Sequence, residues 1–264
     1  MNQVLGFIRF DSSWRKKVLL GSLLMLGVFL CMALAYSAFH MSHGPLILRS
    51  ALAAASLPAG LVFSIILWGY FTEFLRNVVC GARPALPSWQ GSWSFAWSAI
   101  RSLPFLVLAS VPAYLFAGLF WLTQARVFFL LQIYIGIVFY IIWPAFALDV
   151  LARSSAIQTI RLRHIAWFAV SHFRAMLIIQ IAAPVVLLVC LLLGSLLLGV
   201  GMAAGAFFGV LAWCYLIGRK IRKELLNHER RGGSWQKPRF HETALVLGCF
   251  ALVFLVVVVL PLGL

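Results

Sequence analysis

The chain has 264 residues, of which 64% are hydrophobic and only 10% are charged. A soluble domain needs more polar surface than this, so the composition excludes a soluble protein and indicates an integral membrane protein. Several apolar runs reach the roughly 20 residues with which a helix crosses a hydrocarbon core of about 30 Å. The sequence therefore predicts an all-α fold, a polytopic transmembrane helical bundle.

The net charge of +15 comes from 21 Lys and Arg against 6 Asp and Glu. The cations lie between apolar runs, a placement typical of topology determinants and contacts to anionic lipid headgroups, so lipid is the expected partner and nucleic acid is not. The five cysteines form no CxxC pair and are predicted to be packing residues. The basic residues expected to contact lipid headgroups are Arg15, Lys16, Lys17, Arg219, Lys220, Arg222 and Lys223.

Taken in chain order, an aromatic and basic lead (residues 1–17) precedes the first apolar run, and about seven spans follow. Residues 92–103 alternate polar and aromatic positions at helical spacing, which predicts an amphipathic helix in the membrane interface before Pro104 starts the third span. A second juxtamembrane helix is expected over residues 150–174. The predicted spans are 18–39, 49–79 (interrupted by Pro58), 104–122, 127–148, 175–198, 200–218 and 244–264.

The distribution of positive charge predicts the orientation of the bundle. Of the 21 basic residues, all but Arg49 and Arg126 fall on the side that carries the N-terminus. By the positive-inside rule the N-terminus is cytoplasmic, which predicts a multi-pass protein of the inner (cytoplasmic) membrane. The predicted domains are a six-helix bundle of three interfacial-helix and helix-pair units (1–218), a basic cytoplasmic segment that begins as a helix (219–241) and an extra transmembrane helix (242–264).

Residues 69–89, here called the elbow, concentrate polar groups, helix breakers and aromatics. The second span is expected to end at Gly81, after which the prolines redirect the chain along the membrane surface. Arg76 and Asn77 are the expected polar clamps. The predicted elbow residues are Gly69, Tyr70, Glu73, Arg76, Asn77, Gly81, Leu86, Pro87 and Trp89.

Two further patterns leave alternatives open. Glu73 and Asp149 end the second and fourth spans, where they serve either as a proton or cation site or as salt-bridge partners of Arg76 and Arg153. Small residues at spacing four let another helix backbone approach closely, either within the bundle or in a dimer. This helix-packing pattern is carried by Gly201, Gly205 and Gly209.

Residues that carry catalytic chemistry are scarce in this chain. It contains no HExxH, GxSxG, P-loop or dinucleotide motif, so no enzyme activity and no cofactor are predicted. His40 and His43 have a spacing that suits a metal ion, but no third ligand lies near them, and no metal site is predicted.

The elbow also resembles a family signature, GYxxRxxRNVxxGxxxxLPxW. The family is an uncharacterised polytopic membrane family, domain of unknown function number four thousand and thirteen. The resemblance implies six spans over roughly residues 5–225, with the seventh helix outside the pattern, and it implies no activity. Glu73 stands where the signature has arginine, and Ala82-Arg83 replaces the usual acidic residue. The matching residues are Gly69-Tyr70, Arg76-Asn77-Val78, Gly81 and Leu86-Pro87-Ser88-Trp89.

These observations predict a non-enzymatic structural, scaffold or accessory protein that engages lipid, a partner membrane protein or a second copy of itself. The alternative is a small-solute or ion transporter or channel with a path between proline-broken helices. That alternative predicts a polar path through the bundle along Glu73, Gln132, Asp149 or Gln180.

Overall fold

The structure, a computed structural model, describes residues 11–40, 46–89, 92–152, 162–195, 198–230 and 238–263. Within these ranges all regular secondary structure is helical, which confirms the all-α prediction. The helices are α1 (Trp14–His40), α2 (Leu46–Cys80), α3 (Ser92–Thr123), α4 (Arg126–Ala152), α5 (Leu162–Ser171), α6 (Phe173–Ser195), α7 (Leu198–Arg230), α8 (Phe240–Phe254) and, after a π-helical turn over Leu255–Val259, α9 (Leu260–Gly263).

Five helical segments in the described ranges are long and apolar enough to cross a membrane. This agrees with the prediction of a multi-pass membrane protein, while the count of seven spans and the cytoplasmic N-terminus stay predictions. The pair His40 and His43 lies outside the residues whose side chains are described. The five segments are Trp14–Ala38, Ser50–Cys80, Phe173–Ser195, Gly201–Asn227 and Phe240–Leu262.

The helices run further than the sequence patterns indicate. Helix α2 continues through Pro58, and α3 is one helix from Ser92 to Thr123, so the separate interfacial helix at 92–103 is wrong. In an apolar environment a break leaves backbone polar groups unsatisfied, which favours continuing the helix across a proline. The helical extension predicted for the start of the basic segment is confirmed, because α7 ends at Arg230.

The described chain divides into two compact units. Unit 1 comprises Met1–Ile100 and Ala182–Lys223, and unit 2 comprises Arg101–Ile181 and Glu224–Leu264. Each unit therefore takes residues from two separate parts of the chain. The predicted domain boundaries at residues 218 and 241 stay predictions.

The hydrophobic core of unit 1 lies at the end of α2, where α2, the elbow, the start of α3 and α7 meet. It is largely aromatic, and burial of such side chains supplies much of the free energy that favours a packed core. Its buried members are Leu67, Tyr70, Phe71, Phe74, Val78, Leu86, Phe95, Phe207, Leu211 and Cys214.

Within unit 2, α6 is joined to α4 by a reciprocal pair of hydrogen bonds. The Tyr140 hydroxyl donates to the Gln180 carbonyl (2.9 Å), and the Gln180 side-chain amide donates to the Tyr140 carbonyl. Aromatic side chains of α8 pack on the same unit, Phe250 against Phe173 and Phe254 against Tyr134. Tyr140 and Gln180 thus use polar atoms to join two helices.

Candidate functional site

Within the elbow, α2 ends at a turn whose backbone conformation favours glycine. Gly81 follows the last residue of α2 with φ = +74°, a left-handed conformation that costs other residues free energy. The Gly81 N–H donates to the Val78 carbonyl (3.2 Å), and the Ala82 N–H donates to the Asn77 carbonyl (2.9 Å). These two bonds form a Schellman motif, which satisfies carbonyls that the helix end leaves without partners. The predicted end of the helix at Gly81 is confirmed.

Asn77 ties the loop that follows back to the helix. Its side-chain amide donates to the Ala85 carbonyl at 3.0 Å, eight residues further along the chain. This is the contact expected of a polar clamp. Because the amide and the carbonyl are both partly buried, the bond offsets the cost of removing them from water.

Arg76 does not act as the second clamp. In the described part of the chain its guanidinium contacts only Glu73, at 3.3 Å on the same helix, and its side chain is 40% exposed. The two residues are three positions apart and both partly exposed, so they share one face of α2. The expected role of Arg76 as a clamp is therefore wrong. The pairing favours the salt-bridge interpretation of Glu73 over a cation site.

The clamp that sequence reasoning missed is Lys17, near the start of α1. Its ammonium contacts the Asp11 carboxylate at 2.7 Å and donates to the Leu86 carbonyl at 2.8 Å. The side chains of Lys17 and Asp11 are only 11% and 2% exposed. The expectation that Lys17 contacts lipid headgroups is wrong, because its charge is buried against Asp11 and the elbow.

Asp11 is held in place from both sides. The backbone N–H and the hydroxyl of Ser13 donate to its Oδ1 atom at 2.9 and 2.8 Å, while Lys17 occupies Oδ2. The run Asp11-Ser12-Ser13 before Trp14 is the kind of polar sequence that precedes a helix. Reading that signal would have started α1 at Trp14 and placed Lys17 in its first turn.

Trp89 closes the elbow from its far end. Its indole N–H donates to the Lys17 carbonyl at 2.9 Å, and its ring stacks on Tyr70 with centroids 4.2 Å apart. The edge of Phe95 meets both rings. Because Lys17 also bonds to Leu86, α1 holds the elbow at two points three residues apart.

Gly69 allows the closest backbone approach in the elbow. A Cβ atom at this position would lie 1.8 Å from the carbonyl oxygen of Phe95, near the start of α3. The two helices therefore touch backbone to backbone at this point. The remaining predicted elbow residues, Leu86 and Pro87, are both buried.

A Trp89→Phe variant tests the contribution of the indole hydrogen bond. It keeps an aromatic ring beside Tyr70 but leaves the Lys17 carbonyl without its donor, so we expect a loss of about 1 kcal/mol in the free energy of unfolding. Thermal unfolding in detergent, followed by tryptophan fluorescence or size exclusion, measures the change. Trp93→Phe is the control, because Trp93 is 82% exposed and should change little. Equal shifts in both variants would contradict the assigned bond.

The Asp11 carboxyl predicts a dependence of stability on pH. Burial alone raises its pKa, but the hydrogen bonds from Lys17 and Ser13 outweigh burial, so the pKa lies below its ordinary value of about 4. A lowered pKa in the folded state stabilises the protein above the unfolded value, and this contribution is lost as the pH falls through that value toward the folded one. We expect the unfolding temperature to fall more steeply between about pH 5 and pH 3 in the wild type than in the double variant Asp11→Asn, Lys17→Met. Parallel curves would contradict the assignment.

The other residues expected at lipid headgroups are accessible. Arg15 lies over the Trp14 ring, with its guanidinium carbon 5.8 Å from the ring centroid, and Lys16 is exposed. In α7, just before unit 1 ends at Lys223, the side chains of Arg219, Arg222 and Lys223 are exposed and that of Lys220 is half-buried. Their role in lipid contact stays a prediction.

The glycine-rich face of α7 packs inside unit 1. A Cβ on Gly205 would lie 2.2 Å from the Cys190 carbonyl oxygen, and one on Gly194 would lie 2.1 Å from the Gly201 carbonyl oxygen. Gly209 faces Leu187 in the same way. Helix α6 therefore occupies this face. Of the two alternatives that the sequence left open, this is packing within the chain and not a dimer contact.

Unit 2 holds a second polar contact, at the junction of α5 and α6. His172 approaches the Glu224 carboxylate through Nε2 (3.0 Å) and the Phe168 carbonyl through Nδ1 (3.2 Å). Both partners are acceptors, so the two bonds form together only when both ring nitrogens carry a proton. The described residues contain no group of three or more His, Cys, Asp or Glu side chains that could hold a metal ion. The side chain of Asp149 lies outside those described.

Comparison of the chain with protein-family models, curated proteins and solved structures finds no match.

Proposed function

We propose that this chain is a non-enzymatic integral membrane protein that acts as a structural or accessory component of a membrane assembly and engages lipid through its basic end. One observation carries the proposal. At the elbow the buried polar side-chain atoms, apart from the Tyr70 hydroxyl, bond to one another and to the backbone. A site that binds or transforms a ligand needs polar groups that are left available to it.

The elbow illustrates this use of polar atoms. Lys17 donates to the Asp11 carboxylate and to the Leu86 carbonyl, and Ser13 also donates to Asp11. The Trp89 indole donates to the Lys17 carbonyl. In the described residues the Tyr70 hydroxyl is the member of this cluster that has no hydrogen-bond partner, and aromatic rings surround it. An arrangement of this kind supports a role in holding shape.

The resemblance to the uncharacterised membrane family remains part of this proposal. The residues at the signature positions of this chain shape the elbow. The Phe95 backbone packs closely against Gly69, Gly81 ends α2, and the Asn77 side chain bonds to the loop that follows. The Leu86 carbonyl accepts a hydrogen bond from the Lys17 ammonium, and the Trp89 indole N–H donates one to the Lys17 carbonyl. These contacts support the view that the signature encodes a folding element.

The proposed function predicts that the protein carries ordered companions in its native membrane. The full chain would be extracted in polymer-bounded lipid discs, and its bound lipid and protein would be identified by native mass spectrometry. We expect anionic phospholipid enriched over the bulk membrane, or a second membrane protein in fixed stoichiometry. Monomers surrounded by lipid of bulk composition would contradict the proposal.

Transport is the alternative, and Gln180 is the residue that favours it. Gln180 lies 1% exposed in the span Phe173–Ser195, where a polar side chain often marks a solute path. Its amide, however, donates to the Tyr140 carbonyl, which supports a joint between helices. Proteoliposomes loaded with a pH-sensitive dye provide the test. Proton, potassium or small-solute flux above that of empty liposomes would replace the structural proposal with the transport one.

A further inference from the structure

Arg222 of α7 lies flat against the end of α2. A Cβ built on Gly81 would be 2.3 Å from the guanidinium carbon and 2.3 and 2.4 Å from its two terminal nitrogens. Three nearly equal distances mean that the guanidinium covers the space where another residue would carry its side chain. Gly81, which has no Cβ, therefore leaves room for the Arg222 head group beside its left-handed turn.

The Arg222 guanidinium has N–H donors that no described residue uses. The Arg222 side chain is exposed, and among the described residues it makes no hydrogen bond and no ion pair. A guanidinium presents five N–H groups in a planar fork that matches the oxygens of a phosphate or a carboxylate. Arg222 is thus positioned by packing and remains available to an anion.

The surroundings of Arg222 in unit 1 are strongly basic. One acidic side chain, Glu73, lies along the end of α2, and it is already paired with Arg76. Such an excess of cations at one end of two helices attracts anions. The other basic residues at the end of α2, in the elbow and on this part of α7 are Arg83, Arg219, Lys220 and Lys223.

The depth of Arg222 in the membrane indicates which kind of anion lies near it. Arg222 contacts the residue that follows Cys80, where the candidate span Ser50–Cys80 ends. A helix of that length, about 46 Å, reaches from one headgroup region to the other. The anions concentrated at that level are the phosphates of phospholipids.

We infer that Arg222, held over Gly81, binds the phosphate of an anionic phospholipid headgroup at the end of α2. The inference rests on the proposed function and sharpens it to one lipid class and one site. Arg222 supplies the paired N–H donors, and the neighbouring cations raise the local concentration of the anionic lipid. The guanidinium lies in the space that Gly81, without a Cβ, leaves open at the end of α2.

A purely structural role would give a different pattern. A cation beside the C-terminal end of a helix is favourable through the helix dipole, so Arg222 could stabilise α2 without any ligand. In that case removing its charge lowers the unfolding temperature and leaves lipid affinity unchanged. Measuring both quantities separates the two roles.

The test titrates the purified full chain in detergent with dioleoyl phosphatidylglycerol and reads bound lipid by native mass spectrometry. We expect Arg222→Gln to weaken the first binding step about tenfold, the value of one charge-assisted bond in a partly solvated site. Arg126→Gln removes an equal charge from an exposed residue of unit 2 and should change the affinity less than about twofold. Arg222→Lys keeps the charge without the fork and should lie between them, and it serves in place of Arg222→Gln if that variant does not fold.

Four results would overturn the site. Equal weakening by Arg222→Gln and Arg126→Gln would mean that net charge alone binds the lipid. Equal affinity for dioleoyl phosphatidylcholine would exclude selection of an anionic headgroup. Complete displacement of the lipid by millimolar inorganic phosphate would identify a free-phosphate site instead.

If lipid copurifies from native membranes while Arg222→Gln binds normally, the site fails and the proposed function stands. If neither lipid nor a partner copurifies with the wild type, the proposed function itself fails.

Discussion

Replacing Gly69 with alanine should strongly destabilise unit 1. The new Cβ would meet the Phe95 carbonyl oxygen at 1.8 Å, and a backbone atom cannot turn aside as a side chain can. To restore ordinary contact, α2 and the start of α3 must separate by more than about 1 Å, which also loosens the edge-to-face contact between Tyr70 and Phe95. We expect a loss of about 3 kcal/mol or more, measured as a lowered unfolding temperature and a lower yield of monodisperse protein.

The chain supplies matched controls for this change. A Cβ on Gly118 or on Gly136 would have no neighbour within 4 Å, although both glycines lie inside helices. Gly118→Ala and Gly136→Ala should therefore be neutral, or stabilising by up to about 1 kcal/mol, because alanine reduces the freedom of the unfolded chain. A Gly69→Ala protein as stable as these two would show that the helices do not touch at Gly69.

Breaking the Asp11–Lys17 pair should produce the second large effect. Lys17→Met leaves a carboxylate that is 2% exposed with only the Ser13 donors. Asp11→Asn leaves the buried ammonium with neutral acceptors and no counter-charge. An uncompensated buried charge costs about 3–5 kcal/mol. The double variant should cost less than the sum of the single ones, with a coupling of about 1–3 kcal/mol. Unfolding in mixed micelles measures all three.

Glu73 and Arg76 provide the control pair for this comparison of single and double variants. They are also oppositely charged and close in sequence, but both side chains are substantially exposed. Glu73→Gln and Arg76→Gln should each change the free energy of unfolding by less than about 0.5 kcal/mol, with a coupling no larger. A coupling for this pair as large as that for Asp11 and Lys17 would mean that burial does not decide the strength of either.

What the sequence predicts well here is whatever depends on local composition. Apolar runs identify helices, because a chain in lipid satisfies its backbone only within itself. Gly81 marks the end of α2, because a left-handed residue after a helix favours glycine. These features follow from a few neighbouring residues, and no knowledge of distant contacts is needed.

The errors arise where distant residues meet. Lys17 looks like one more basic residue before an apolar run, and its burial depends on Asp11 and on a carbonyl 69 positions away. Arg76 looks like a clamp because it lies in a polar segment, yet its direction depends on which face of α2 is outward. The pairing of Arg222 with Gly81 joins residues more than 140 positions apart, and no local pattern indicates it.

The way unit 1 is drawn from the chain has a consequence for its synthesis. Its core combines Tyr70 and Leu86 from the first hundred residues with Phe207, Leu211 and Cys214 from α7. During translation the N-terminal helices and the elbow are made long before those three side chains exist. Until α7 enters the membrane, the aromatic face at the end of α2 has lipid or the insertion machinery as its neighbour. Assembly of this unit is therefore completed late, when about four-fifths of the chain has been made.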